Sequence, residues 1–211
     1  MHGCAPITQG ITASNAVASL AEPLRMLPRA HELLLSDGII GLRQFKLDDA
    51  PPLFNAVHES MAQLSAWMVW AHPNYSMEDT RAFILKCAPG WEKGEQYSFA
   101  IVDAHDGEFL GSVGLSGVHH SHGFANLGYW VRARKVRHGV ATSATRMAAR
   151  FSFETLKLNR VELLVPTANL ASQRVAEKAG AKREGILRNR LRLNGVGHDA
   201  FVYSFVPEDF A

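Results

Sequence analysis

Arg134, Lys135, Arg137 and His138 crowd into one short stretch of a 211-residue chain, just before Gly139 and the small Ala141. Basic side chains beside a residue that has none suit an anion. Val140, Ala144, Met147, Ala148 and Phe151 then recur at helical spacing, so a helix starts near Gly139. The first N–H groups of a helix lack partners within it, and its dipole adds partial positive charge there. Gly139 lets a phosphate come close to the backbone. An ordinary helix start behind a solvated basic loop explains the same residues, and the glycine spacing alone does not decide.

Three further groups carry possible chemistry. His119, His120 and His122 lie in a Gly- and Ser-containing segment. No acid or cysteine accompanies them, so they read as a solvated hairpin turn, with proton acceptance as the lesser alternative. Trp67 and Trp70 read as core anchors or as contacts to a bound peptide, since an aromatic offers large area with few rotors. Arg188, Arg190 and Arg192 alternate with Leu187, Leu191 and Leu193. They read as a solvated strand face, with an acidic partner or RNA as the lesser alternative.

Elements must position these groups. Asn126–Val131 is rich in aromatic and β-branched residues and suits a strand before the basic loop. Upstream, Glu32–Leu35 and Ile39–Phe45 flank Ser36-Asp37-Gly38, a hairpin signal. Asp48 is the expected N-cap of a helix whose first turn holds Pro51 and Pro52. Ser76-x-x-Asp79 opens a second helix, expected to reach Cys87. Tyr97–Val102 and Phe109–Leu115 are strands joined by an Asp106-Gly107 turn, and Ala125–Val131 completes the meander. Strand, helix and a strand at Leu163–Val165 imply a parallel pair. Asn169 caps a helix that Gly180 ends. Gly185–Leu193 and His198–Val206 form the last hairpin, turning at Asn194-Gly195.

Composition bounds the class. Hydrophobic residues make up 47% and charged residues 20%, with a net charge of +2. That describes a globular chain with a sizeable core and a charge too small to argue for nucleic acid. One domain, residues 31–211, plus an extension over 1–30 is the natural division. Asn15–Met26 suits one short helix in that extension. Cys4 and Cys87 form no disulfide or metal framework, and no metal is expected. A cytoplasmic setting follows by default. No apolar run is long enough to cross a bilayer, and residues 1–30 lack the pattern of a signal peptide.

Val136-Arg137-His138-Gly139-Val140-Ala141 resembles the acyl-CoA pyrophosphate loop of the GNAT superfamily of N-acetyltransferases, Arg/Gln-x-x-Gly-x-Gly/Ala. Leu127-Gly128-Tyr129-Trp130-Val131 is similar to the strand before that loop in the RimJ/RimL branch. Asn169–Ala181 resembles that branch's Asn-x-x-Ser-x-Arg-Val-x-Glu-Lys-x-Gly-Phe signature. The likeness runs from about Ile39 to Phe205, and two motifs in order are far more specific than one.

The resemblance implies an α/β (α+β) GNAT fold: a mostly antiparallel mixed sheet of about seven strands with a splayed parallel pair, flanked by about four helices. It implies acetyl transfer from acetyl-CoA to a primary amine, with a protein N-terminus as the leading acceptor. A small amine is the alternative, and a non-catalytic acyl-CoA sensor a third reading. By resemblance, the backbone at Trp130 and Val131 binds pantetheine. Arg137, His138, Gly139, Val140, Ala141 and Thr142 hold the pyrophosphate. Asn169 and Ser172 contact CoA, and Arg174 or Lys178 reaches its phosphates. Ser172 stands where the family often places the donor of a proton to the leaving thiolate. Trp67 and Trp70 lie on the wall of the acceptor cleft. A homodimer through the late strands is an analogy only.

Three departures stand out. Val136 replaces the usual Arg or Gln, and Arg137 a frequent Gly. The glutamate that related enzymes carry is replaced by Asn126 in the strand and by Leu191 late in the chain. Proton removal then falls to Glu59, to His119, His120 or His122, or to water.

Overall fold

The computed structural model describes residues 33–211. The expected extension over 1–30 and its short helix lie outside them. Leu35–Ser36 (β1) and Ile40–Gln44 (β2) form the first hairpin. Asp37 makes its turn by accepting the Ile39 and Ile40 N–H groups at 2.9 and 2.8 Å, as a short carboxylate does in a turn.

Ala50–Leu64 (α1) follows a 3₁₀ turn over Leu47–Asp49. The expected cap at Asp48 is corrected to a different arrangement one residue on. Asp49 accepts the Lys46 N–H at 2.9 Å and both terminal nitrogens of the buried Arg43 at 2.7 and 2.6 Å. A buried guanidinium is costly without a partner, and this one claims the nearest buried carboxylate.

Met77–Lys93 (α2) outruns its expected end at Cys87. Ser76 and Asp79 close the expected capping box at its start. The helix continues through Pro89 although proline removes a helical N–H. Trp91 supplies the compensation: its indole donates to Ser98 C=O at 3.1 Å and packs on Tyr97, Phe99 and Phe151.

Tyr97–Asp103 (β3), Phe109–His119 (β4) and Phe124–Val131 (β5) form the expected meander. Val140–Glu154 (α3) leads to Arg160–Pro166 (β6), and Leu170–Ala179 (α4) to Lys182–Leu193 (β7) and Val196–Phe205 (β8). All eight strands join one sheet in the order β1-β2-β3-β4-β5-β6-β8-β7. The two-residue β1 accounts for the strand beyond the expected seven or so. The only parallel pairing, among the described residues, is β5 with β6. The alternation expected along Gly185–Leu193 is interrupted by a register shift between Leu187 and Leu191, with Asn189 at a φ of 50°.

The sheet buries two apolar layers, as strand alternation requires. Ala100 and Val102 pack with Leu53, Val57, Ile84 and Cys87 of α1 and α2. Phe99 and Ile101, their neighbours in β3, pack with Ala144, Ala148 and Phe151 of α3. The chemistry of the two sides can therefore meet only where the sheet opens.

Candidate active site

The sheet opens between β5 and β6. Their pairing covers only Phe124–Asn126 against Arg160–Glu162. Beyond it β6 pairs with β8 through Pro166, and β5 runs on against β4 alone. The far side of β5 is thus left without a ladder, a form an extended ligand can complete.

Which residues face that gap follows from two contacts. Arg132 N–H bonds Leu110 C=O of β4 at 2.9 Å. A Cβ built on Gly111 would lie 2.3 Å from Trp130 C=O. Arg132 and Trp130 therefore turn their backbones to β4. Alternation turns those of Tyr129 and Val131 into the gap. The backbone expected to face the gap was that of Trp130 and Val131; the register turns that of Tyr129 and Val131 there.

Across the gap stands the first turn of α4. Asn169 caps it by accepting the Ser172 N–H at 3.1 Å. The Ser172 hydroxyl lies 2.8 Å from the Tyr129 hydroxyl, which also donates to Ser172 C=O at 3.1 Å. A carbonyl can only accept, so the tyrosine proton can rest on it, while between the two hydroxyls either oxygen can donate. The serine proton is left to rest on the tyrosine oxygen or to turn elsewhere. Burial pushes the Tyr129 hydroxyl up to about 12, against the opposing bond from Ser172. It stays protonated at any working pH. Nothing in the sequence marked Tyr129 beyond its place in a strand motif.

The basic loop ends at Gly139, whose φ of 81° favours glycine. A Cβ there would have nothing within 4 Å. The first bond of α3 runs from Ser143 N–H to Gly139 C=O, so Val140, Ala141 and Thr142 present N–H groups without helical partners. Arg137 and His138 are exposed beside them. Open space, free donors and positive charge fit a pyrophosphate. Arg174 is exposed on α4.

The start of that loop is clamped to α1. Glu59 accepts from Arg132 at 2.6 Å and from the Arg134 N–H at 3.0 Å. Ser60 accepts the Ala133 N–H at 2.9 Å, and Glu108 bonds Arg132, Arg134 and Lys135. Burial opposes ionisation of Glu59, but the bonds from Arg132 and Arg134 outweigh it and hold its carboxyl below the usual range. A carboxylate so engaged is a poor base. Glu59 does not line the cavity described below, and its carboxylate ties the start of the loop to α1. Glu59→Gln should weaken acetyl-CoA binding by roughly two- to fivefold, the scale of a partly solvated ion pair. The pH–rate profile should keep its shape. Loss of the alkaline rise would restore Glu59 as the base.

On the opposite side of β5 lies a cavity of about 590 Å³. Ser98, Ser112, Gly114 and Gly128 floor it, and Trp70, Tyr75, Phe83 and Trp130 wall it. Of the two expected tryptophans only Trp70 lines it; Trp67 is half-buried elsewhere. The histidine cluster is not part of it. His119 stacks on His122 and Phe124, and His120 bonds Gly94 C=O. No group of three or more His, Cys, Asp or Glu residues could hold a metal among the described residues. Where β5 and β6 part, Asn126 Oδ1 is buried without a hydrogen-bond partner. Among the described residues no helix is long and apolar enough to cross a membrane.

The arrangement matches known proteins. The acetyltransferase (GNAT) domain family matches residues 40–182. YjcK of Bacillus subtilis, named a probable N-acetyltransferase, is 35% identical over 143 residues, 67% of this chain and 79% of its own. YdaF of the same organism, named provisionally as a ribosomal N-acetyltransferase, is 29% identical, covering 81% and 93%. The structure of Mycobacterium smegmatis RimJ with a CoA-disulfide superposes with a TM-score of 0.72 at 25% identity, over 81% of this chain and 83% of that one. Family, fold and the splayed strands agree: this chain belongs to the GNAT family and is an acetyl-CoA-dependent N-acetyltransferase.

Proposed function

We propose that the chain acetylates the N-terminal α-amine of a peptide or protein, of the ribosomal-protein kind. The observation that carries this reading is a cavity that reaches β5 at Gly128, Tyr129 and Trp130, with the Tyr129–Ser172 pair where β5 and β6 part. Acceptor and acyl donor then meet at one strand. The protein-acceptor part draws on a relative: YdaF, 29% identical, is named provisionally as a ribosomal N-acetyltransferase.

The chain's residues divide the work. Tyr129 and Val131 hold pantetheine through the backbone and set the thioester carbonyl against an N–H group. Val140, Ala141 and Thr142 hold the pyrophosphate, with Arg137 and His138 beside it and Asn169 and Arg174 nearby. Asn126 Oδ1 accepts a hydrogen bond from the acceptor amine. The amine nitrogen bonds the carbonyl carbon, the C–S bond breaks, and the sulfur takes the Ser172 hydroxyl proton. Asn126 cannot take a proton, so the amine loses its own to water through the cavity mouth, and water returns one to Ser172, leaving the serine neutral again. An α-amine with a pKa near 8 allows this without a strong base. Residues 31–211 form the catalytic domain and 1–30 an extension, in a cytoplasmic setting.

The test uses pairs of peptides, one with a free α-amine, the other with that amine blocked and a lysine free. Mass spectrometry should find one added acetyl group on the first only. The rate should rise with pH through the acceptor's own pKa. Acetylation of small amines but no peptide would move the acceptor to the small-molecule class. Acetyl-CoA binding without transfer to any amine would favour a sensor.

A further inference from the structure

The cavity has a floor and a wall of very different character. Ser98, Gly114 and Gly128 are cross-strand neighbours in β3, β4 and β5. They make a row with almost no side chain. Gly128 sits between Asn126 and Trp130, and a Cβ built on it would meet nothing within 4 Å. Its φ is not positive, so the backbone there accepts any residue. Open space, not turn geometry, is what glycine provides at this point.

The wall is aromatic. The Trp70 ring lies 6.0 Å from Trp130 and 5.9 Å from Tyr75, yet Trp70 keeps 39% of its surface exposed. Met68, Leu53 and Val57 extend the apolar lining. His72, Asp79 and Lys86 also border it. The Asp79 carboxylate is committed to the Ser76 N–H and hydroxyl, both at 2.9 Å. Asn126, Gly128 and Trp130 follow one another at alternate positions of β5, so they share a face, and a chain laid from Asn126 along that face crosses Gly128 toward the two tryptophans.

We infer that this cavity selects an acceptor whose amine-bearing carbon carries a large apolar side chain, best an aromatic one, and that Gly128 admits it. The inference rests on the acceptor reading above and narrows it. Exposed aromatic surface gains by being covered, and offset or edge contacts between rings add to that gain. A serine or alanine side chain would leave the space to water.

The test compares peptides that share a tail and begin with Phe, Leu, Ser or Ala, with phenylalaninamide as the free small amine. The parent should favour Phe and Leu over Ser and Ala by tenfold or more in kcat/KM. Gly128→Val should lower the Phe-to-Ser ratio at least tenfold, because its methyl groups fill the floor. Trp70→Ala should lower Phe more than Leu. A parent that uses Ser or Ala as well as Phe overturns the inference. So does a Gly128→Val protein that binds acetyl-CoA and keeps the parent's ratio. Calorimetric titration with N-acetylphenylalaninamide and N-acetylserinamide reads the cavity without turnover. Tighter binding of the first, lost in Gly128→Val, would uphold the inference even if no peptide were acetylated. Equal binding of the two by the parent would overturn it. Turnover of phenylalaninamide alone would refute the peptide acceptor and leave the cavity's preference standing.

Discussion

Ala141→Glu should abolish measurable acetyl-CoA binding in a protein that folds as well as the parent. Ala141 lies in the first turn of α3, half-exposed, beside the free N–H groups that follow Gly139. A glutamate there suits the helix dipole, so the helix loses nothing. Its carboxylate nevertheless takes up the donors and the positive potential that a pyrophosphate needs, and like charge repels the ligand. A loss of about 100-fold or more corresponds to roughly 3 kcal/mol. Ala141 is a cleaner place for this test than Gly139, whose φ of 81° would strain any side chain. Ala141→Gln has similar bulk without the charge and should lose far less. Calorimetry on both variants, with melting curves as the control for folding, reads the result. Parent-like affinity in Ala141→Glu would remove the pyrophosphate from this loop and leave an ordinary helix start.

Ser172→Ala should lower kcat by about 100-fold, the lower end of what a positioned proton donor contributes. KM for acetyl-CoA should change little, because the lost proton matters only once the C–S bond is breaking. Tyr129→Phe should cost less, about tenfold. Its hydroxyl holds the Ser172 hydroxyl at 2.8 Å and donates to Ser172 C=O at 3.1 Å. Without it the serine keeps its proton but loses its direction. The order of the two effects distinguishes their roles: a larger loss in Tyr129→Phe would make the tyrosine the donor and the serine its support. If both variants stay within a factor of about three of the parent, the pair is structural and the thiolate takes its proton from water. Single-turnover rates separate this step from product release.

Local signals carried much of this protein in its sequence. Asp37 with Gly38 made the first hairpin turn because a short carboxylate bonds the N–H groups just after it. Ser76 with Asp79, and Asn169 with Ser172, capped their helices for the same reason: each pair lies three residues apart. The GNAT family and its order of strands were also legible, since two motifs about thirty residues apart sat in the right sequence.

What tertiary structure decided involved partners far apart in the chain. Glu59 is tied to the basic loop because Arg132 and Arg134, more than seventy positions on, reach it at the end of β5. Tyr129 joined the site because the split between β5 and β6 brings it to Ser172, 43 residues away. Trp70 rather than Trp67 entered the cavity, although both lie in the same short segment between α1 and α2. α2 outran its expected end because Trp91 found a buried place against three rings. Composition and spacing state what a residue can do; only the packed fold supplies the second group, its distance and the loss of water that make the residue do it.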